Sequence, residues 1–435
     1  MTPPTVGTIG LGVLIILLLC GMPIGYAMAL IGFVGLSYLV NIGAGLSLLE
    51  TIPYRTVASY TISLIPMFIL MSEIAARTGI TQGLYAATQK WLGHLRGGLA
   101  MATVGACAAF ASICGSALAP AAMFARISLP EMEKYKYDPS LAAGVVAAGG
   151  TLGILIPPSI GFVVYGFLTA TSIGKLFIAG ILPGVLLSAL MMLSIYILCR
   201  RNPDLGPPTP KSSWRERLLG LKGVWETLVL FLLVLGGIYL GVFTPTEGGG
   251  IGAAGAAVIG LVKRQLSWER FTLALESTLE FSAMVFILLI GAYIFGAFMA
   301  RSELPLTLAK TATESALSPY IILGGVLLFY FIMGCISDII STSVLTLPII
   351  YPMISAAGFD LIWFGVITVI MLQVGLCTPP IGLNVFVVGG VAKHIPLDTI
   401  FKGITPFVIS MLVCIGILIA FPKIALILPS MMKGG

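Results

Sequence analysis

Three observations on the 435-residue sequence predict an all-α polytopic membrane protein, ion-transporter-like, with an inverted repeat, two re-entrant hairpins and two broken helices. First, 58% of the residues are hydrophobic and 9% are charged, whereas about 25% of a soluble domain is charged. Second, similar segments recur in the same order roughly 220 residues apart. Third, a proline pair interrupts each of two long apolar stretches, and broken helices of this kind are typical of transporters.

The internal repeat rests on matched segments that keep a nearly constant spacing. CGSALAP at Cys114 corresponds to CISDIIS at Cys335, and GILIPPS at Gly153 corresponds to GLCTPPI at Gly375. Single residues match as well: Gly180 with Gly403, Pro183 with Pro406, Arg77 with Arg301, and Pro23 with Pro245. Because the offset stays between 221 and 224 residues, the chain is predicted to be a fused duplication of residues 1–215 and 216–435.

The distribution of charge predicts how the halves are oriented. Segment 200–222 is the most basic stretch, and basic loops stay on the cytoplasmic side of a membrane. Its cations are Arg200, Arg201, Lys211, Arg215, Arg217 and Lys222. When the other membrane spans are assigned one after another from this cytoplasmic segment, each half has an odd number of membrane crossings. The two halves therefore face opposite ways, as an inverted repeat. The net charge of +6 is therefore attributed to cytoplasmic loops and not to nucleic-acid binding.

Each half is predicted to contain the same five elements. In the first half they are scaffold spans at 7–41, an interfacial helix at 42–57, a hairpin at 99–133, a broken helix at 141–168 and a span at 178–199. In the second half they are scaffold spans at 224–262, an interfacial helix at 266–281, a hairpin at 319–354, a broken helix at 362–390 and a span at 402–421. The hairpins are predicted because these stretches must enter and leave on one side, and their centres are rich in small and hydroxyl residues.

The two interruptions are predicted to create a polar site halfway across the membrane. Proline removes a backbone donor, and lipid cannot satisfy the carbonyl groups that a break sets free. Free carbonyls and helix C-termini bind cations, whereas helix N-termini bind anions. A kinked span packed by small residues is the alternative for a single break, but the second break at the corresponding position argues against it.

Asp338, at the centre of the second hairpin, is the strongest single candidate for a functional residue. It lies beside Ser341, Thr342 and Ser343 in an apolar stretch, and a carboxylate at membrane depth is costly without a partner. One interpretation is a bound cation. The other is an N-cap on the half-helix that follows, because Asp is a good acceptor for helix-start amides.

Other polar residues keep two interpretations each. Gln373 and Asn384 flank the second break and could bind solute or satisfy freed backbone groups. Glu247, after Pro245, is predicted to be a helix-start carboxylate, with a transport role as the alternative. The arginines at 77, 126 and 301 are explained as anchors near the membrane faces, although each could meet an anionic solute.

The sequence offers little support for an enzyme or a metalloprotein. It has two histidines, His94 and His394, and seven cysteines without CxxC spacing, and it contains no HExxH or Walker motif. An intramembrane enzyme needs converging acid, base or nucleophile groups, and the sequence supplies one plausible buried carboxylate. We therefore predict that the chain is not an enzyme.

Several motifs resemble those of a known family. CGSALAPAA, GGTLGILIPPSI, FTPTEGGGIGA and GLCTPPIGLNVFVV, in this order and spacing, are similar to the large membrane subunit of TRAP (tripartite ATP-independent periplasmic) transporters. The resemblance runs through essentially the whole chain.

The resemblance implies a multi-pass permease of the bacterial inner membrane that imports an organic acid anion, such as a C4-dicarboxylate or a sialic acid. It implies an elevator mechanism driven by sodium as the coupling ion, with no covalently bound cofactor. It further implies two protein partners, a small membrane subunit on a separate chain and a periplasmic solute-binding protein. A stand-alone sodium/anion symporter of the same architecture is the alternative.

Carried onto this sequence, the resemblance implies sodium sites where each hairpin tip meets its broken helix. The sodium candidates are Gly115, Ser116, Gly153, Ile156, Pro157, Asp338, Ser341, Thr342, Gly375, Thr378 and Pro379, and the solute candidates are Ser116, Pro158, Ser159, Ser343, Gln373 and Asn384. Ala117 departs from the family pattern, which has a second small hydroxyl in many members, and this puts in doubt a side-chain ligand at that position.

Overall fold

The computed structural model describes residues 1–314 and 318–432, which are helical and contain no strand. Residues 315–317 and 433–435 of the predicted second repeat lie outside the described residues. Within the described ranges, 4 helices are long and apolar enough to cross a membrane, or up to 7 spans if each of three bent helix pairs counts as one. The predicted all-α polytopic fold class is therefore confirmed.

The first half contains α1 (Pro3–Leu19), α2 (Ile24–Leu39), α3 (Ile42–Val57), α4 (Leu64–Arg77), α5 (Ile80–Leu92), α6 (Gly98–Cys114), α7 (Leu118–Lys134), α8 (Pro139–Leu155), α9 (Ile160–Thr169) and α10 (Ile173–Arg201). The second half contains α11 (Trp214–Gly220), α12 (Trp225–Phe231), α13 (Gly237–Tyr239), α14 (Pro245–Val262), α15 (Trp268–Ser302), α16 (Leu304–Glu314), α17 (Pro319–Gly334), α18 (Ile339–Ala356), α19 (Leu361–Leu376), α20 (Leu383–Val391), α21 (Leu397–Ala420) and α22 (Lys423–Ser430). A π-helical turn, Leu232–Gly236, joins α12 to α13.

Both predicted hairpins are pairs of helices joined by short turns. Hairpin one is α6 and α7, and its turn begins at Gly115, whose φ of +67° lies in the left-handed region that glycine adopts without strain. Hairpin two is α17 and α18, joined through Cys335–Asp338. The small residues at both centres let the two arms reverse direction within a few residues.

Both predicted broken helices are interrupted at their proline pairs. The first consists of α8 and α9, which meet at an angle of 41°. The second consists of α19 and α20, and residues 377–382 between them are not helical. The Pro157–Pro158 and Pro379–Pro380 bonds are both cis.

One predicted element does not form as expected. Residues 266–281 are not a separate interfacial helix, because α15 runs without interruption from Trp268 to Ser302. The sequence has no proline in this stretch and no glycine before Gly291, so nothing ends the helix at residue 281. Its counterpart in the first half is divided into α3 and α4, and residues 58–63 between them are not α-helical.

The helices pack as two interleaved groups. In the scaffold, α2 lies against α15 and α4 lies against α14. Gly32 permits the first contact, since a Cβ there would lie 2.6 Å from the Ile294 carbonyl oxygen. The second group contains the hairpins and broken helices, with α8 packed against α6, α7 and α21. The hairpin tips and the proline breaks therefore lie in one core.

The start of α14 resolves the two interpretations of Glu247. Thr244 Oγ1 accepts from the Glu247 amide at 3.3 Å, and a Glu247 carboxylate oxygen accepts from the Thr244 amide at 2.7 Å. This is a capping box, which satisfies two helix-start amides reciprocally. The predicted helix-start role of Glu247 is confirmed.

Candidate functional site

The first junction joins the tip of hairpin one to the first proline break. The Ile160 amide donates to the Gly115 carbonyl oxygen at 3.3 Å. Gly153 lies directly on the tip, because any Cβ there would overlap the Ser116 carbonyl oxygen. Pro157, Pro158 and Ser159 are all buried, so this junction is enclosed on nearly every side.

The second junction repeats the same backbone contacts in the other half. The Ile381 amide donates to the Cys335 carbonyl oxygen at 3.3 Å. Gly375 lies against the backbone of Gly334, so that a Cβ on either residue would clash with the other segment. In contrast to the first junction, Pro379, Pro380 and Ile381 are exposed.

Asp338 caps the second arm of hairpin two. One carboxylate oxygen, Oδ2, accepts from the amides of Ile340 and Ser341 at 3.0 and 3.1 Å. The N-cap interpretation is therefore confirmed, since this is the normal geometry of an Asp cap. The side chain is half-buried, and its other oxygen accepts no hydrogen bond among the described residues. The cap leaves that oxygen available, so the cation interpretation stays a prediction.

The two junctions lie close together. Hairpin two packs on the first broken helix through α18 and α9, and hairpin one packs on the second broken helix through α7 and α20. At the first of these contacts a Cβ on Gly161 would lie 3.7 Å from Ile339 Cγ2. The residue after Asp338 thus adjoins the first turn after the Pro157–Pro158 pair.

Four buried side chains in these helices carry polar atoms without a hydrogen-bond partner in the described structure. Gln373 is fully buried, and neither its amide oxygen nor its amide nitrogen has a partner. Asn384 donates to the Ala147 carbonyl oxygen at 3.0 Å, while its own oxygen has no partner. Thr342 and Thr368 each have an unpartnered hydroxyl. Buried polar atoms are normally satisfied, so these atoms have capacity for an ion, a solute or water.

The remaining predicted residues have local roles that can be read from their contacts. Ser159 is the N-cap of α9 and accepts from the Phe162 amide at 3.3 Å. Thr378 donates to the Val374 carbonyl oxygen at 2.7 Å. Ser341 and Ser343 are buried in the first turn of α18, and Ile156 ends α8. Among the described residues no cluster of three or more His, Cys, Asp or Glu could hold a metal ion.

A cavity of about 440 Å³ reaches the tip of hairpin one. We call it the inner vestibule, because it lies near the Trp268 end of α15, which the basic residues predict to be cytoplasmic. It lies between the tip, the start of α9, and the scaffold helices α4 and α15. It is lined by Ile69, Ser72, Glu73, Cys114, Ser116, Leu118, Ala119, Ile160, Ser277, Glu280, Phe281 and Met284. Of the predicted site residues, this cavity exposes Ser116.

A second cavity of about 610 Å³ lies toward the Ser302 end of α15. We call it the outer vestibule, because this end is predicted to face away from the cytoplasm. It lies between α3, α15, the end of α9 and the second arm of hairpin two. It is lined by Leu48, Thr51, Ile52, Arg55, Thr56, Ser59, Phe167, Leu168, Ala292, Tyr293, Gly296, Ala297, Ala300 and Pro348. The tip of hairpin two does not line it.

The three arginines do not converge on the junctions. Arg77 forms an ion pair with Glu73 and donates to Ser277 Oγ at 3.0 Å, so it fastens α4 to α15 beside the inner vestibule. Arg126 and Arg301 are exposed on α7 and at the end of α15. Sequence reasoning missed the vestibule carboxylates Glu73 and Glu280, although a carboxylate in an apolar helix was the signal that would have found them.

Paired hairpins and paired broken helices, packed against a helical scaffold, define a secondary-transporter fold. Two solved structures share it. The chain aligns with MtrF of Neisseria gonorrhoeae, described as an antimetabolite efflux pump, at a TM-score of 0.64 and 13% identity, covering 96% of this chain and 95% of that one. It aligns with the Alcanivorax borkumensis YdaH transporter at a TM-score of 0.59 and 17% identity, covering 88% and 90% of the chains. At these identities the likeness shows the fold alone.

The family is shown by sequence. Residues 11–424 match the family model described as the tripartite ATP-independent periplasmic transporter, DctM component, and the chain belongs to this family. The sialic acid TRAP transporter large permease protein of Vibrio cholerae is 30% identical over 420 residues, 96% of this chain and 97% of that protein. The C4-dicarboxylate TRAP transporter large permease protein of Pseudomonas aeruginosa is 35% identical over 378 residues, 87% and 88% of the two chains.

Family membership confirms three of the predictions. The resemblance to TRAP large permeases is correct, and the chain is a protein of the bacterial inner membrane. The relatives are transporter permeases and not enzymes, as expected for this chain.

Proposed function

We propose that the chain is the large permease subunit of a sodium-coupled secondary transporter that imports an organic acid anion. The observation that carries the proposal is the pair of tip-to-break junctions, which lie together, with buried polar atoms that have no partner in the helices that form the second junction. Such a site has oxygen ligands and helix ends for both a cation and an anion. The relatives named for sialic acid and for C4-dicarboxylates support an organic acid as the solute.

The chemistry of the junctions supports sodium as the coupling ion. In each junction the backbone of the tip lies against the backbone of the broken helix, since Gly153 and Gly375 have no Cβ to separate the two segments. Carbonyl oxygens and helix C-termini suit a small hard cation at membrane depth. The second junction adds the free carboxylate oxygen of Asp338, which gives it a full negative charge for a bound cation to neutralise.

The unequal position of the hairpins supports an elevator movement of the two-repeat unit, with residues 1–215 and 216–435 as inverted copies. The inner vestibule meets the tip of hairpin one at Leu118 and Ala119, whereas the outer vestibule meets hairpin two at Pro348. At the repeat offset of 221, the position corresponding to Ala119 is Ile340, eight residues before Pro348. Eight helical residues span about 12 Å. We expect the hairpins to move by about this distance along the scaffold between the present arrangement and one in which hairpin two opens to the outer vestibule.

Two partners complete the proposal. In tripartite transporters of this family, a small membrane subunit supports the scaffold and a periplasmic binding protein delivers the solute. We expect both partners to be separate chains here.

Reconstitution tests this function directly. The chain is placed in proteoliposomes with and without the small subunit, and solute-loaded binding protein and a sodium gradient are added from outside. We expect flux when all components are present and none from the chain alone. Solute movement by the chain alone would favour the alternative of a stand-alone symporter, and the absence of sodium-dependent flux from the complete system would refute the proposal.

A further inference from the structure

The two vestibules are equivalent cavities in the two repeats. Arg77 and Arg301 are 224 residues apart, and at this offset Ile69 corresponds to Tyr293, Ser72 to Gly296, and Glu73 to Ala297. The first member of each pair lines the inner vestibule and the second lines the outer vestibule. On the opposite wall Glu280 of the inner vestibule corresponds to Thr56 of the outer one, next to Arg55. Differences between the two linings can therefore be read position by position.

The two linings carry opposite charge. Glu73 and Glu280 line the inner vestibule, and Arg77 pairs with Glu73, which leaves the charge of Glu280 without an ion pair in the described structure. Arg55 lines the outer vestibule together with the hydroxyl groups of Thr51, Ser59 and Tyr293, and no acidic residue is among the described residues that line it. Arg55 is exposed, and no ion pair is formed by it within the described ranges. One cavity thus favours cations and the other favours anions.

The position of Arg55 relates this charge to the hairpin tips. In the inner vestibule the scaffold wall at Glu280 faces Ser116, Leu118 and Ala119 of hairpin one. At the offset of 221, Ser116–Ala119 correspond to Ser337–Ile340 of hairpin two, a stretch that includes Asp338. If hairpin two took the equivalent position against the outer vestibule, this stretch would face Thr56 and Arg55. In the present arrangement Pro348 occupies that place. Arg55 would then lie beside the second junction when that junction opens to the outside.

We propose that the outer vestibule is an anion-binding entrance in which Arg55 receives the carboxylate of an incoming organic acid. A guanidinium binds a carboxylate through two parallel hydrogen bonds, and a charged, concave wall raises the local concentration of an opposite charge by tenfold or more. The proposal rests on the proposed function for the identity of the solute. The positive charge of the outer vestibule is an independent observation that does not depend on which solute is transported.

A test that needs no transport measures this charge through cysteine reactivity. Thr51→Cys is placed in the outer vestibule of the full chain with Cys20 replaced by Ser, because the six other cysteines are buried. In nanodiscs of neutral lipid, its rate of modification is measured with an anionic and a cationic methanethiosulfonate of similar size. We expect the anionic reagent to be favoured, and Arg55→Gln to lower the anionic-to-cationic rate ratio by about tenfold. Arg55→Lys should keep most of the preference.

Two matched controls accompany this measurement. Arg301→Gln removes an outer-side cation that does not line the cavity, and it should leave the ratio at Thr51→Cys unchanged. Met284→Cys, one helical turn from Glu280 and with Cys114 also replaced by Ser because it lines the same cavity, probes the inner vestibule. There the cationic reagent should be favoured, and Glu280→Gln should remove that preference. A ratio at Thr51→Cys that is insensitive to Arg55→Gln overturns the proposal.

Two further experiments determine whether Arg55 binds the solute or a lipid headgroup, and whether a negative result concerns Arg55 or the proposed function as a whole. If anionic lipid in the nanodiscs removed the preference at Thr51→Cys and Arg55→Gln then had no further effect, Arg55 would bind lipid and the proposal would be wrong. In the reconstituted complete system, Arg55→Gln should raise the half-saturating solute concentration by about tenfold, and Arg55→Lys should restore it. A wild-type system without flux would refute the proposed function, whereas an unchanged half-saturating concentration would refute the role of Arg55.

Discussion

The two tip-to-break junctions share one backbone design and differ in almost everything else. Each has an amide after the proline pair that donates to a tip carbonyl, at 3.3 Å in both cases, and each has a glycine where two backbones touch. The first junction is enclosed and has no acidic residue at its tip, whereas the second has exposed prolines and Asp338. The repeat therefore preserves the backbone that makes a site, while side chains and position against the scaffold decide its chemistry and its access.

The largest expected effect tests the shared backbone. Gly153→Ala places a Cβ 1.9 Å from the Ser116 carbonyl oxygen, far closer than two such atoms can approach, so the backbone of the tip must shift. Overpacking of this kind costs about 3 kcal/mol, and we expect loss of folded protein by size-exclusion chromatography and thermal unfolding. Gly375→Ala should do less harm, because its Cβ would lie 2.4 Å from the nearest backbone atom, Gly334 C, a less severe overlap than at Gly153. Gly250→Ala, which has no atom within 4 Å of its Cβ position, is the control. If all three variants were as stable as the wild type, close backbone contact at Gly153 and Gly375 would not be required for folding.

A second test concerns the unequal position of the junctions. Ser59 and Pro348 line the outer vestibule together. With Cys20 replaced by Ser, the pair Ser59→Cys and Pro348→Cys is treated with a bis-methanethiosulfonate that can span the cavity. The cross-link should stop uptake, and a reducing agent should reverse it. Each single cysteine serves as control. Full uptake by the cross-linked protein would show that hairpin two does not move against α3.

Asp338 and Ser116 test the difference in charge. Asn caps a helix about as well as Asp, so Asp338→Asn should leave the melting temperature nearly unchanged. Its loss of charge should lower the apparent sodium affinity of uptake by about 100-fold, equivalent to about 2.7 kcal/mol. Ser116→Ala in the first junction should lower it by about tenfold. If Asp338→Asn kept the wild-type sodium dependence, Asp338 would be a cap and no more.

The smallest expected effect compares two helix starts that the repeat places in register. α2 begins after Pro23 without a side-chain cap, whereas α14 begins with the capping box of Thr244 and Glu247. Thr244→Ala should cost about 1 kcal/mol of stability and leave uptake intact. Thermal unfolding measures the first effect and reconstituted uptake the second. Loss of uptake without loss of stability would assign the α14 start a transport role after all.

Much of the fold was predictable because prolines, glycines and small residues mark breaks and turns directly. The hairpins, the two breaks and the role of Glu247 followed from local patterns. The separate interfacial helix at 266–281 was wrong, since amphipathic composition does not end a helix without a breaker. The bend between α4 and α5, at 65°, was not anticipated either, although Gly79 marks it with a left-handed φ of +73°.

The candidate site was predictable in part. The tips and breaks are continuous in sequence, so their residues could be named in advance. The vestibules could not, because their walls join residues about 200 positions apart, such as Ser72 and Ser277. Gln373 and Asn384 were named as polar residues beside the break, but their unpartnered atoms are a property of packing that no local pattern records.

The continuity of α15 has a mechanical meaning. Its 35 residues form a rod about 52 Å long, which exceeds the roughly 30 Å hydrocarbon layer. Residues near one end line the inner vestibule and residues near the other line the outer one. One continuous helix that lines both vestibules keeps them a fixed distance apart. The proposed elevator movement would therefore carry the solute from one vestibule to the other by sliding the hairpins along α15.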